Sequence, residues 1–127
     1  MRGSAVTAEA GKRFREAWIA GVGKHYPGEP KAGYVVPWDE TPEWERRSAV
    51  AVYQLVVELI RISEGAARRL ERVQKSQFVA ACWTAQIYLR IENPKPSYVT
   101  PWETLPPWQQ EVDADIFEAI EGFESSS

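Results

Sequence analysis

Two short segments of the chain each hold a lysine, a tyrosine and a tryptophan at the same spacing. The six residues are Lys31, Tyr34, Trp38, Lys95, Tyr98 and Trp102. Aromatic rings stack on planar ligands, and a lysine ammonium group beside them can hold a negative charge. The combination is typical of a site for a nucleotide-like small molecule. We therefore predict that these rings stack on such a ligand and that the two lysines hold its charge.

The two segments belong to a longer match between the halves of the chain. The phrase Pro-Lys-x-x-Tyr-Val-x-Pro-Trp begins at Pro30 and again at Pro94, 64 positions further on. The match continues through an acid, a proline and a second tryptophan, which is Trp44 or Trp108. Uncommon residues at so many matching offsets indicate two copies of one helical unit. Within a single domain over residues 1–127, we expect repeat one at 8–62, a connecting segment at 63–70 and repeat two at 71–123.

Hydrophobic periodicity predicts a helix on each side of both segments. The expected helices run from about 8 to 23, from 42 to 62, from 71 to 91, and from Pro106 or Pro107 to about 123. Thr7 is expected to cap the first helix, and Thr41 the second, with Pro42 at its first position. Residues 1–7 and 124–127 are expected to fray.

Between the helices, the first arm (residues 31–40) and the second arm (residues 95–103) are expected to be extended. Val36 and Thr100 each precede a proline, which disfavours the helical region for those residues. No stretch alternates polar and apolar residues for long, so strands are not expected. The predicted fold is all-α, with four main helices in two helix–arm–helix repeats related by pseudo-two-fold symmetry.

Composition and charge exclude several classes of protein. The net charge is −3 and the pI is about 5.3, with basic residues spread along the chain, so no nucleic-acid partner is expected. No apolar run approaches the roughly 20 residues that span a membrane, and the N-terminus lacks the apolar core of a secretory signal. The expectation is a soluble cytoplasmic protein without a membrane partner. Its single cysteine, Cys82, gives no disulfide and no thiolate metal site, and neither a metal nor a cofactor is expected.

Catalytic chemistry has little support in the sequence. His25 is the only histidine, and we expect it to face solvent at the end of the first helix. Cys82 lies on an apolar helix face and is expected to be a buried, inert thiol. The acids near the start of the second helix are typical of a first turn. No enzyme is predicted.

The tryptophans of the arms leave two functions open. Trp38 and Trp102 could stack on a ligand, or they could cover the helices as part of the core, where Trp44 and Trp108 are expected to lie. In the first case the protein is a non-catalytic small-ligand module. In the second, the arms are purely structural. The apolar surplus of the second and third helices then serves a protein–protein interaction or a homo-oligomer such as a homodimer.

The second arm also resembles a known family. Residues 99–106, Val-Thr-Pro-Trp-Glu-Thr-Leu-Pro, are similar to the second half of the ryanodine-receptor repeat domain, in which a proline and an aromatic precede acids, Leu-Pro and a charged helix start. Asp113 stands where an acidic position is common. Residues 35–42 match the same pattern with Thr41 in place of the leucine. The resemblance, over about half of the chain, implies a module that senses a nucleotide-derived signal.

Overall fold

Four α-helices account for most of the molecule. The structure is a computed structural model that describes residues 2–125, with side chains from residue 7 onward. The helices are α1 (Arg2–His25), α2 (Glu43–Ile62), α3 (Arg72–Arg90) and α4 (Pro107–Ser125). Residues 2–125 contain no strand, and the predicted all-α fold is confirmed.

The first helix begins earlier than predicted. Thr7 lies inside α1 and is therefore not its N-cap, and residues 2–7 continue the helix. Residues 2–10 contain no proline, and their three alanines favour a helix. The predicted fraying of Met1, Ser126 and Ser127 lies outside the described residues.

The arms form compact turns where extended chain was expected. The first arm contains two 3₁₀ turns, Ala32–Val35 and Trp38–Glu40, and the corresponding turns of the second arm are Pro96–Tyr98 and Trp102–Thr104. Single extended residues remain around the turns, and Val36, with φ −62° and ψ 130°, is one of them. The expectation was wrong because a proline restrains only the residue before it, which leaves the others free to close short turns.

The starts of α2, α3 and α4 follow from local capping chemistry. Pro42, not Thr41, is the N-cap residue of α2, because the Thr41 N–H and hydroxyl both donate to the carbonyl oxygen of Trp38 and close the preceding turn. At α3, Glu71 and Gln74 form a capping box. The last helix begins at Pro107, where a proline suits the first helical position.

A single core joins both halves of the sequence. Helix α1 packs against α2 and α4, and α3 packs against the same two helices. The fully buried side chains come from all four helices and include Val22, Val52, Val56, Val79, Ile87, Val112, Ile116, Phe117 and Ile120. None of the helices within residues 2–125 is long and apolar enough to cross a membrane.

The connection between the halves is a tight, ordered turn. Gly65 has φ +89°, a left-handed conformation that suits glycine, and the 3₁₀ turn Ala66–Arg69 follows it. Ala67 is buried in this turn and belongs to the core cluster. The connection therefore contributes to the core and is not a free linker.

Candidate ligand-binding site

A cavity of about 460 Å³ lies between the two arms, lined by residues of both arms and all four helices. Seven aromatic side chains contribute to its wall: Phe14, Trp18, Tyr34, Trp44, Trp83, Tyr98 and Trp108. Such a wall offers flat apolar faces together with a few polar tips, which suits a small ring-bearing molecule.

The first group of rings surrounds Trp108 of α4. The ring of Trp108 lies 6.0 Å from that of Trp18 and 5.6 Å from that of Tyr34, centroid to centroid. Tyr26, at 4.9 Å from Trp108, supports the group from behind. The Trp18 Nε1–H donates to the carbonyl oxygen of Tyr34 at 2.8 Å, which holds the first arm against α1.

The second group surrounds Trp44 of α2. Its ring lies 6.3 Å from that of Trp83 and 6.4 Å from that of Tyr98, and the Trp44 and Tyr98 planes differ by only 25°. Trp83 also stacks on Phe14 of α1, with centroids 5.6 Å apart. In both groups, therefore, the central tryptophan comes from one half of the sequence, and the arm tyrosine and the other tryptophan come from the other half.

Arg15 of α1 fastens the first arm beside the cavity. Arg15 is buried, with only 9% of its surface exposed. Its Nε donates to the Val36 carbonyl oxygen at 2.8 Å, and its Nη2 donates to the Gly33 carbonyl oxygen at 3.2 Å. Its Nη1 lies 3.7 Å from Glu45 Oε2. Burial lowers the pKa of Arg15, and Glu45 opposes this effect. The hydrogen bonds and the ion pair of the Arg15 guanidinium are therefore made within the protein, although Arg15 also lines the cavity.

Asp113 of α4 lines the same cavity without a protein partner. The residue is 7% exposed, and no hydrogen bond or ion pair to its carboxyl group is found in the part of the chain that the structure describes. Burial raises the pKa of Asp113 to about 8. At neutral pH in the empty cavity this carboxyl group is therefore mostly protonated.

Three of the six residues predicted from the sequence line this cavity, namely Lys31, Tyr34 and Tyr98. The Lys31 ammonium lies 5.8 Å from the centre of the Tyr34 ring. The equivalent pair in the second arm, Lys95 and Tyr98, is 6.0 Å apart, but Lys95 does not line the cavity.

Trp38 and Trp102 lie outside the large cavity. The six-membered ring of Trp38 covers Gly11 of α1, and its side chain packs on the core. The Trp102 Nε1–H donates to Ser76 Oγ of α3 at 2.7 Å, and Gln110 donates to the Trp102 carbonyl at 2.8 Å. Both tryptophans attach their arms to helices.

The sequence analysis missed most of the cavity wall. Trp44 and Trp108 were expected in the core. Trp108 does pack against the core cluster, but both residues also line the cavity, as do Trp18 and Trp83. The position of these two tryptophans in the sequence could have indicated the cavity wall, because Trp44 and Trp108 each stand in the first turn of the helix that follows an arm. Nothing in the sequence singled out Arg15.

His25 and Cys82 lie apart from the cavity wall. His25 does not face solvent as expected, because its Nε2 lies 2.7 Å from Asp115 Oδ2 of α4. Cys82 is half-buried, and burial raises the pKa of its thiol to about 11, so the thiol stays protonated at neutral pH. Across the residues with described side chains, no group of three or more potential ligands could hold a metal ion.

Fold and cavity together define an all-α protein with an aromatic-walled pocket between two helix–arm–helix segments. Comparisons with protein-family models, curated proteins and solved structures give no significant match. The resemblance of the arms to the ryanodine-receptor repeat domain therefore stays a prediction.

Proposed function

We propose that the protein is a non-catalytic module that binds a small, flat-ringed ligand between its arms, with nucleotides as the first class of ligand to consider. The observation that carries this proposal is the aromatic wall of the 460 Å³ cavity. Small-molecule sites usually occupy about 300–1,000 Å³ and combine apolar walls with a few polar groups. Stacking on the rings would provide most of the affinity.

In this proposal the arm residues have separate roles. Tyr34 and Tyr98 stack on the ligand, Lys31 attracts its phosphate at the cavity wall, and Lys95 adds positive charge nearby. Trp38 and Trp102 hold the arms in place without touching the ligand. Their contacts with Gly11 and Ser76 support this division.

We also propose that the two helix–arm–helix segments are structural repeats related by a pseudo-two-fold axis, with the cavity between them. The matching phrase at Pro30 and Pro94 supports this, as does the same ring arrangement around Trp44 and Trp108. The site would then belong to neither repeat alone.

No catalytic step is part of the proposal. The only histidine pairs with Asp115, and the only thiol is protonated at neutral pH. A binding role requires neither group.

The proposal is tested by calorimetric titration of nucleoside monophosphates and by quenching of tryptophan fluorescence. Tyr98→Ala should weaken binding by about fivefold to 150-fold, since removing one stacking ring costs about 1–3 kcal/mol per base. Tyr88→Ala is the matched control, because Tyr88 of α3 is also an exposed tyrosine, 61% exposed against 44% for Tyr98, but lies outside the cavity. Equal losses in the two variants would contradict the proposal, and no nucleotide binding to the parent protein would exclude nucleotides as the class of ligand.

A protein–protein interaction module is the second candidate. Ile62 of α2 is 62% exposed and Leu89 of α3 is 71% exposed, so these apolar side chains are accessible to a partner. In this candidate the arms are structural, and a second copy of the chain covers these residues. Sedimentation should then show a dimer at micromolar concentration that Leu89→Glu dissociates, whereas a monomer at every concentration would exclude the homo-oligomer.

A further inference from the structure

The two carboxyl groups in the cavity wall differ in their partners. Glu45 lies 3.7 Å from the Arg15 guanidinium. Asp113 is more than nine-tenths buried, yet no protein donor within residues 7–125 contacts it. The Asp113 oxygens are not fully enclosed by protein atoms, because Asp113 lines the cavity. Buried polar groups in proteins nearly always have a partner. The occupant of the cavity is the remaining candidate for that partner.

The aromatic wall determines how such an occupant would meet Asp113. A flat ring that stacks on the arm tyrosines can present only its edge to a carboxyl group beside it. The two oxygens of a carboxylate accept best from two adjacent N–H groups in one plane, as in a bidentate pair. The complementary chemical group is therefore an edge with two neighbouring N–H donors.

We propose that Asp113 is the specificity-determining residue of the cavity and selects a flat ligand with two adjacent N–H donors. This donor pair occurs on the edge of guanine and on an aromatic amidinium. The inference rests on the proposed binding function and adds the chemistry of the ligand to it.

The other charged groups in the cavity wall do not pair with Asp113, so its carboxyl group remains available to a ligand. Arg15 of α1 and Glu45 of α2 face the cavity and pair with each other. Lys31 of the first arm lies near the Tyr34 ring. The tyrosines of the arms are the other titratable groups in the wall, and α3 contributes none to it among the described residues. No described cation is paired with Asp113.

Binding should consequently depend on pH. A pair of donors binds the ionised carboxylate, whereas the pKa of Asp113 in the empty cavity is about 8. Below that pH, binding must release a proton, so affinity should fall by up to tenfold for each unit of pH between 8 and 6. Two calorimetric titrations at pH 7, in buffers with different ionisation enthalpies, measure this proton directly.

Five probes at pH 8 test the donor pair. Guanosine monophosphate carries both donors, inosine monophosphate lacks the amino group, and adenosine monophosphate replaces the ring donor by an acceptor. Benzamidine and benzamide form the same comparison without a nucleotide. We expect the ligand with two donors to bind at least tenfold more tightly within its set, because a site built for hydrogen bonds rejects analogues that lack them.

Two variants assign this preference to one carboxyl group. Asp113→Asn keeps the size of the side chain but replaces one acceptor by a donor, and it should remove the preference and the proton release. Glu111→Gln changes an exposed carboxyl group on the same helix, outside the cavity, and should leave both unchanged. Thermal melting of each variant verifies that it is folded.

The outcomes separate this inference from the binding function itself. Equal affinity for the three nucleotides, a preference for the adenine ring, or a guanine preference that survives in Asp113→Asn would overturn the role of Asp113 and leave the binding function in place. If benzamidine binds more tightly than benzamide and no nucleotide binds, the requirement for two N–H donors is supported and nucleotides are excluded as the ligands that carry them. Failure of all five probes to bind would overturn both proposals.

Discussion

Asp113 shows how a single buried side chain can link stability to pH. Its carboxyl group has no protein donor in the described structure, and burial alone raises its pKa to about 8. The protein therefore keeps a group that costs stability whenever it ionises in an empty cavity. Such a cost is typical of residues that serve binding more than folding.

Replacing this group by a neutral one should change how stability varies with pH. The folded protein holds the Asp113 proton up to about pH 8, whereas an unfolded chain releases it near the ordinary pKa of 3.8. Between these values the folded state binds more protons, so the parent protein loses stability as pH rises. Relative to Asp113→Asn, the loss should be about 1.4 kcal/mol per pH unit at most, and it should level off above pH 8. Urea unfolding of both proteins from pH 4 to 9 measures it, and parallel curves would contradict the shift.

Arg15 and Arg46 offer a second comparison between single residues. Both donate to backbone carbonyls of the first arm, but Arg15 is buried and makes two such bonds, whereas Arg46 makes one exposed bond to Asp39. A lysine keeps the charge but cannot reproduce the planar fork. Urea unfolding at pH 7 should therefore show a loss of about 2–3 kcal/mol for Arg15→Lys and less than about 0.5 kcal/mol for Arg46→Lys. Equal losses would show that Arg15 does not fasten the arm.

At the scale of elements, the sequence was informative wherever local chemistry decides the structure. Periodic apolar residues located all four helices, and the start of α4 at Pro107 is one of the two prolines that the sequence offered. The arms were different, because their placement depends on contacts with helices far away in the sequence. Arg15, for example, contacts the Val36 carbonyl across 21 positions. No local pattern reports a contact of this kind.

The same limit explains why only three of the six predicted residues line the cavity. Spacing alone made Tyr34 and Trp38 look equivalent, since both are aromatic residues of one arm. The two turns direct them differently, so that Tyr34 lines the cavity while Trp38 packs over Gly11. A prediction from sequence had no means to distinguish a ring that attaches an arm from a ring that lines the cavity.

The contact between the first arm and α1 depends on the absence of a side chain at Gly11. A Cβ atom at this position would lie 2.3 Å from Trp38 Cη2 and 2.7 Å from Val50 Cγ2, so both side chains would have to move. A Cβ at Gly23, also in α1, would have no neighbour within 4 Å.

Alanine substitutions at the two glycines should therefore have opposite effects. Gly11→Ala should cost about 1–3 kcal/mol through overpacking, while Gly23→Ala should stabilise by up to about 1 kcal/mol through helix propensity. Thermal and urea unfolding measure both, and the near-ultraviolet circular dichroism of Gly11→Ala should change as Trp38 moves. A stabilised Gly11→Ala would mean that the arm is not held against α1 in this way.

For the whole molecule, the important fact is that neither half of the chain can bury its apolar faces alone. The core cluster mixes Phe14, Val52 and Val56 with Val79 and Phe117. The cavity is built in the same way, since its ring groups combine both halves. Folding and ligand binding would therefore need the same contacts between the halves.

Dividing the chain within its connecting turn tests this dependence directly. The fragments 1–65 and 66–127 end beside Gly65, so every helix stays whole. Each fragment alone should lack a cooperative thermal transition, because its core residues have lost half of their neighbours. Mixed in equal amounts, the fragments should form a one-to-one complex with restored helicity and tryptophan fluorescence.

Gly11→Ala in the first fragment should weaken that complex less than Val112→Asp in the second, since Val112 is fully buried in the shared core and packs against Gly21 of α1. A monomeric fragment that melts cooperatively by itself would show instead that one half is an independent folding unit, and the composite cavity would then form by docking of two finished parts.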